Sequence, residues 1–232
     1  MSRIITLILR RFNSCSSLSL FKHYFVTIKK FELDMKKVLV TGISGFIGHQ
    51  CAAELLKNGY SVKGTVRDLG KKDEVINGIK KEIDPVENLE FVNLDLLNDK
   101  GWDDAMKDCE YVLHVASPFF MKEPSNEDEY IKPACEGTIR VLKAAQKAKI
   151  KRIVLTSSVV SMTGKIYDSN EDIGIVNAES WTDTNSKNIN TYMKSKTLAE
   201  KGAWDFVNNQ SDKESLELVV VCPGFVMGPT LT

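Results

Sequence analysis

Residues 38–48 read VLVTGISGFIG, and few stretches of this length restrict a fold as tightly. Val38, Leu39 and Val40 form an apolar run bounded by glycine, the pattern of a strand buried on both faces of a parallel sheet. The continuation, FIGHQCAAELLKNG, spaces its apolar residues as a helix does and stops at Asn58-Gly59, a favourable C-terminal cap. Glycines 42, 45 and 48 therefore lie on a strand-to-helix turn. Gly42 suits the tight turn, Gly45 the close approach of a pyrophosphate to backbone, and Gly48 the packing of helix on strand. The phosphates of a dinucleotide would sit on the free N–H groups at the positive end of that helix. Without the flanking strand and helix, the same letters would describe a tight turn with no ligand.

The rest of the composition excludes more than it asserts. The 232 residues suffice for one good-sized domain, and 43% apolar with 27% charged content is ordinary for a globular protein. Thirty-one basic residues against 31 acidic ones leave no electrostatic footprint for nucleic acid. No apolar run reaches the length that crosses a bilayer, so no transmembrane segment is expected. Cys15, Cys51, Cys109, Cys135 and Cys222 form no metal-binding or disulfide spacing and read as small hydrophobes in a reducing compartment. His114 lies in an apolar run and reads as a satisfied core residue.

Residues 1–34 differ from the remainder. Six basic residues (Arg3, Arg10, Arg11, Lys22, Lys29 and Lys30) precede the first acids, Glu32 and Asp34. This Ser- and Arg-containing leader is similar to a mitochondrial transit peptide. A non-native extension is the other reading, because Met35 stands directly before KKVLVTG. Either way the dinucleotide-binding domain spans 35–232, and without a transit role the protein is expected in the cytoplasm.

Along that domain, SVKGTVRD gives a second strand ending at Arg67, 19 residues beyond Gly48. An arginine in this place accommodates a 2′-phosphate, so NADP is favoured; Asp68 beside it keeps NAD open. LEFVNLDLL reads as a third strand ending at Asp95, WDDAMKD as a short helix, and EYVLHVASPF as a fourth strand entering a loop. Residues 127–149 are helical, with Pro133 as a kink or boundary. RIVLTSS is the fifth strand, followed by a polar stretch over 164–190, a helix from Thr191 to Asn208, and LELVVVCPG as the sixth strand. Such alternation predicts an α/β doubly wound parallel sheet of Rossmann type, in the order 3-2-1-4-5-6. Ligand then lies across the carboxyl ends, at the switch between strands one and four.

Chemistry enters with TYMKSK. Tyr192 and Lys196 are four apart on one helix face, and Ser157 and Ser158 end the fifth strand where the same crevice opens. Taken alone, the Tyr/Lys pair is a common accident and the serines a simple strand stop. Together and in this order they resemble the extended short-chain dehydrogenase/reductase superfamily, and within it the dihydroflavonol reductase/aldehyde (methylglyoxal) reductase group. The similarity runs from Lys36 to Pro229 through VLVTGISGFIG, GTVRD, NLDLL, YVLHVASPF, EGTIRVLKAA, IVLTSS, TYMKSKTLAEKGAW and PGFVMGP.

That resemblance implies roles for individual residues. Gly42, Ser44, Gly45, Phe46, Ile47 and Gly48 would carry the pyrophosphate, Arg67 the 2′-phosphate, and Asp95 with Leu96 the adenine. Val115, Ala116 and Ser117 would line the nicotinamide side, and Pro223 would flank the ring. Ser158 would hydrogen-bond a substrate carbonyl while Tyr192 donates a proton. A free phenol titrates near 10, so a neighbouring cation is needed, and Lys196 would supply that field and reach the nicotinamide ribose. Homodimers, where the family forms them, use the helices at 127–149 and 191–208.

The pattern also departs from the family. Its members continue past PGFVMGP into a smaller region that closes over the substrate, whereas this sequence ends at Thr232, which implies that the substrate region is largely missing. Flavonoid reductases carry asparagine five positions after the serine, where Thr163 stands. The Asn-Trp-Tyr-Cys-Tyr signature of cinnamoyl-CoA reductases is absent. The expectation is an NADP-dependent reductase of a small aldehyde or ketone. Two alternatives stay open: a non-catalytic nucleotide-binding subunit, and an epimerase or 3β-hydroxysteroid dehydrogenase-like enzyme.

Overall fold

In the computed structural model of the chain, residues 35–118, 124–168, 175–210 and 216–231 are described. The leader at 1–34 and the end of the expected fourth strand at Phe119 lie outside them. Six parallel strands form one sheet: β1 Lys37–Thr41, β2 Ser61–Val66, β3 Leu89–Asn93, β4 Tyr111–His114, β5 Arg152–Thr156 and β6 Glu217–Val221. Their order is β3-β2-β1-β4-β5-β6, the Rossmann order anticipated from the sequence, with the topological switch between β1 and β4.

The helices are α1 Phe46–Lys57, α2 Lys72–Ile79, α3 Trp102–Met106, α4 Asp128–Lys147, the single turn α5 Lys165–Asp168, and α6 Thr191–Asn208. Alternating residues of β1 show why both faces need cover. Val38 and Val40 join a core with Ala52, Ala53 and Leu56 of α1 and Val75 and Ile79 of α2. Leu39, on the opposite face, joins Trp102, Met106, Val141, Leu142 and Ala203 from α3, α4 and α6. Each fully buried aliphatic chain of this kind contributes about 1.5–3 kcal/mol. Among the described residues, no helix is long and apolar enough to cross a membrane, and no cluster has the makings of a metal site. Cys51, Cys109, Cys135 and Cys222 are free thiols.

Two elements, α2 and the single turn α5, stand where the sequence pattern held no helix. Nothing in the pattern between β2 and β3 announced α2, which is eight residues long and contains Val75, Ile76 and Gly78, all poor helix formers. Burial of Val75 and Ile79, one turn apart, supplies the stability that propensity lacks. In α4 the helix runs through Pro133 rather than ending there. The proline sits in the second turn, so its missing donor affects a single carbonyl near the helix start.

The exits of β1 and β4 are locked together by one hydroxyl. Thr41 Oγ1 accepts the N–H groups of Val115 (3.0 Å) and Ala116 (2.9 Å) and lies 2.9 Å from His114 Nδ1. With both lone pairs engaged, its hydrogen goes to Nδ1. The ring proton is then on Nε2, which donates to Thr138 Oγ1 at 3.4 Å. His114 is thus the satisfied core residue that its apolar surroundings suggested. Burial pushes its pKa down from 6.5 to about 3, helped by the nearby Lys196 charge.

Two measurements check this account. A Cβ at position 48 would run into the Gly42 carbonyl oxygen, so Gly48→Ala is expected to lower unfolding stability by about 1–3 kcal/mol in urea titrations. Between pH 6.5 and about 3 the unfolded chain binds a proton on His114 that the folded chain refuses. Stability therefore falls as pH falls through that window, by about 1.4 kcal/mol per pH unit from this residue. The same urea titrations at several pH values should show a shallower acid slope for His114→Gln.

Candidate active site

The glycine turn is built by close approach. Gly42 adopts φ +68°, and the Cβ it lacks would stand 3.1 Å from both Cα and Cβ of Ala116, so the turn lies directly against the β4 exit. Its N–H donates to Thr65 Oγ1 (3.1 Å) and its carbonyl accepts from Gly45 N (3.0 Å). Gly45 is the N-cap of α1, with no side-chain cap and no acid in the first turn. The N–H groups there, flanked by half-buried Ser44 and Ile47 and exposed Phe46, present an anion-binding end.

At the end of β2, Asn93 Nδ2 holds the Arg67 carbonyl at 2.7 Å, while the exposed guanidinium makes no ion pair among the described residues. Asp68 is engaged differently: its Oδ1 accepts Gly70 N at 2.8 Å and caps the short 3₁₀ turn Leu69–Lys71. At the end of β3, Asp95 Oδ1 accepts Leu97 N (2.8 Å), and the Leu96 carbonyl accepts from Arg140. These residues stand at successive strand ends on one edge of the sheet.

The β5 exit carries the remaining groups. Ser157 N donates to Val221 O (2.8 Å) and Val159 N to Pro223 O (3.0 Å), so Pro223 lies beside the turn that presents Ser158. Ser158, extended at φ −160°, caps the 3₁₀ turn Val159–Ser161 and is buried. Tyr192 projects from the first turn of α6, edge-on to Tyr130 with ring centroids 6.5 Å apart. Burial lifts its phenol above the ordinary tyrosine value, and a hydrogen bond with Ser158 draws it partly back.

One turn along α6, the buried Lys196 ammonium donates to the Thr156 carbonyl at 3.0 Å. Burial lowers its pKa to about 8, against the opposing influence of Glu200. The family resemblance implies that Lys196 depresses Tyr192. In the structure the groups acting on that phenol are its burial, Ser158 and Tyr130. A small cavity between β4, β5 and α6 is bordered by His114, Ala116, Ser117, Thr138, Lys196 and Glu200.

Several contributors escaped the sequence argument. Thr41 organises the β4 exit, and Glu200 gathers hydroxyls beneath the β5 turn. Glu200 did leave a signal, because it continues the 192–196 spacing by four. The stretch after β6 also returns to α1: Gln50 Nε2 donates to the Pro229 carbonyl (3.2 Å), and Leu231 is buried with the α1 and α2 core.

The chain is similar to several known proteins. The Arabidopsis thaliana tetraketide alpha-pyrone reductase 1 is 39% identical over 198 residues, covering 84% of this chain and 59% of that protein. Dihydroflavonol 4-reductase of the same plant is 35% identical over 201 residues, covering 84% of this chain and 50% of its own length. Among solved structures, yeast methylglyoxal/isovaleraldehyde reductase Gre2 complexed with NADPH superimposes with a TM-score of 0.74 at 28% identity, covering 84% of this chain and 60% of that one. The Candida albicans Gre2–NADPH complex gives 0.70 at 30% identity, with 84% and 59% covered. The chain thus spans half to three-fifths of the length of these relatives. The description "NAD dependent epimerase/dehydratase family" matches residues 38–231, and with the sheet order and glycine turn in agreement, the chain belongs to that family.

Proposed function

We propose that residues 35–232 form the dinucleotide-binding and catalytic core of an NADP-dependent reductase of small aldehydes or ketones, with 1–34 as an N-terminal extension. One observation carries the reading: the Tyr192 phenol and Ser158 share a hydrogen bond at the β5 exit, with the Lys196 ammonium one helical turn away. The glycine turn fits a pyrophosphate, since Gly42 and Gly48 leave no room for a Cβ and the α1 terminus is uncapped. Relatives named as reductases, and neighbours solved with NADPH, support the same cofactor class.

When bound, the cofactor supplies the hydride to the carbonyl carbon. Ser158 then donates its hydroxyl hydrogen bond to the carbonyl oxygen and holds it toward Tyr192. The phenol gives that oxygen the proton that completes the alcohol; a pKa above the ordinary value keeps it protonated and ready. Lys196, buried beside the strand end, orients the nicotinamide ribose. Ser44, Gly45, Phe46, Ile47 and Gly48 take the pyrophosphate, and Asp95 with Leu96 the adenine. Val115, Ala116, Ser117 and Pro223 border the nicotinamide. For Arg67, the support is its exposed guanidinium, which makes no ion pair among the described residues, while Asp68 is occupied as a cap; NAD is the alternative cofactor. A homodimer through α4 and α6 belongs to the same reading.

Fluorescence titration of the full chain is expected to give tight NADPH binding. Arg67→Ala should weaken NADPH about tenfold, roughly 1.4 kcal/mol, while leaving NADH nearly unchanged. A wild-type preference for NADH would reject the assignment of Arg67. In assays of NADPH oxidation with a panel of aldehydes, Tyr192→Phe should lower kcat/KM by about 10²-fold or more with cofactor affinity kept. NADPH binding without turnover in either protein would instead favour the non-catalytic nucleotide-binding subunit.

A further inference from the structure

One buried carboxyl group, Glu200, has no part in the reaction just described. It stands one turn beyond Lys196 and two beyond Tyr192 on α6, hence on their face, and is 6% exposed. Its Oε2 accepts from the Ser157 hydroxyl and lies 2.7 Å from Ser161 Oγ. Ser161 Oγ is also 2.8 Å from the Ser158 carbonyl, so its one hydrogen is shared between two acceptors. From the β6 exit, the Cys222 thiol comes within 3.7 Å of Oε2 and 4.0 Å of Oε1. Ser157 precedes Ser158, Ser161 closes its turn and Cys222 precedes Pro223. All three converge on one carboxylate.

We propose that Glu200 is a positioning residue: its oxygens hold the turn that presents Ser158, and its charge holds the Lys196 ammonium in the crevice. The inference rests on the reading of Ser158, Tyr192 and Lys196 given above. A carboxylate so deeply buried is strongly disfavoured without donors and a counter-charge, and both are present here. The other groups facing Lys196 cannot replace it. Tyr192, on the same helix, is a neutral phenol; His114 from β4 is held neutral by burial; Cys222 is held above the usual thiol range, first by burial. β5 offers the Thr156 carbonyl and α4 the Thr138 hydroxyl. Glu200 is the main charge opposing the depression of Lys196 by burial, with Cys222 behind it.

The test follows the Lys196 ¹³Cε and Glu200 ¹³Cδ signals of the full chain by NMR, from roughly pH 6 to 11. Glu200→Gln, which keeps size and an oxygen acceptor, should lower the Lys196 midpoint by about one unit or more, whereas Glu200→Asp should leave it nearly in place. An unmoved or raised midpoint in Glu200→Gln overturns the proposal. If that variant does not fold, the wild type decides. A Glu200 signal that steps at the Lys196 midpoint supports the proposal, and one without that step overturns it. NADPH titration of the wild-type sample separates the two readings. Bound NADPH with an unmoved Lys196 rejects the role of Glu200 alone. A shifted Lys196 without NADPH binding supports the role of Glu200 and rejects the cofactor assignment.

Discussion

Parallel pairing sets the terms for everything at this site. Because all six strands point the same way, every strand end from β1 to β6 arrives at one edge, and the chain must leave that edge by a turn each time. The glycine turn, Arg67, Asp95, Ala116, Ser158 and Pro223 are those turns. None was brought there by a special loop. The sheet stays parallel only while helices cover both faces, so the apolar stripes of α1, α2, α3, α4 and α6 are as much a condition for the site as its polar groups.

Within that edge, polar groups are ranked by how dry they are. At the surface the Arg67 guanidinium is exposed with no ion pair among the described residues, and pairs such as Lys71–Glu74, Lys107–Asp104 and Lys132–Asp128 are exposed and worth little. Near β4 and β5 the opposite holds. His114, Ser157, Ser158, Lys196 and Glu200 are buried, and each finds a partner at hydrogen-bonding distance. In such surroundings a misplaced donor is costly, so the network fixes geometry more firmly than surface charges could.

How much of this could be read from the letters depended on whether a residue answered to local or to distant neighbours. The β1–turn–α1 unit was legible because its apolar run, its glycines and its Asn58-Gly59 stop all act over short range. So was α6, where Asn190 caps by accepting Met193 N at 2.9 Å. The helix α2 was not, since its stability comes from Val75 and Ile79 entering a core contributed by β1 and α1. Thr41 was hidden for the same reason: its partners are more than 70 positions away. Lys196 was half legible. Its place on the face of Tyr192 followed from spacing by four, but its bond to the Thr156 carbonyl and its neighbourhood of Glu200 required the packed sheet.

Thr41 also shows how narrow a position can be without ever meeting a ligand. Valine has nearly its outline, yet would leave two amide hydrogens and an imidazole nitrogen stranded in the middle of the sheet. Serine would keep those bonds and surrender a methyl group from a fully enclosed space. A search confined to side chains that reach into the crevice would rank this residue as scaffolding. Its exchange would be felt at the mouth all the same, as backbone pointing the wrong way.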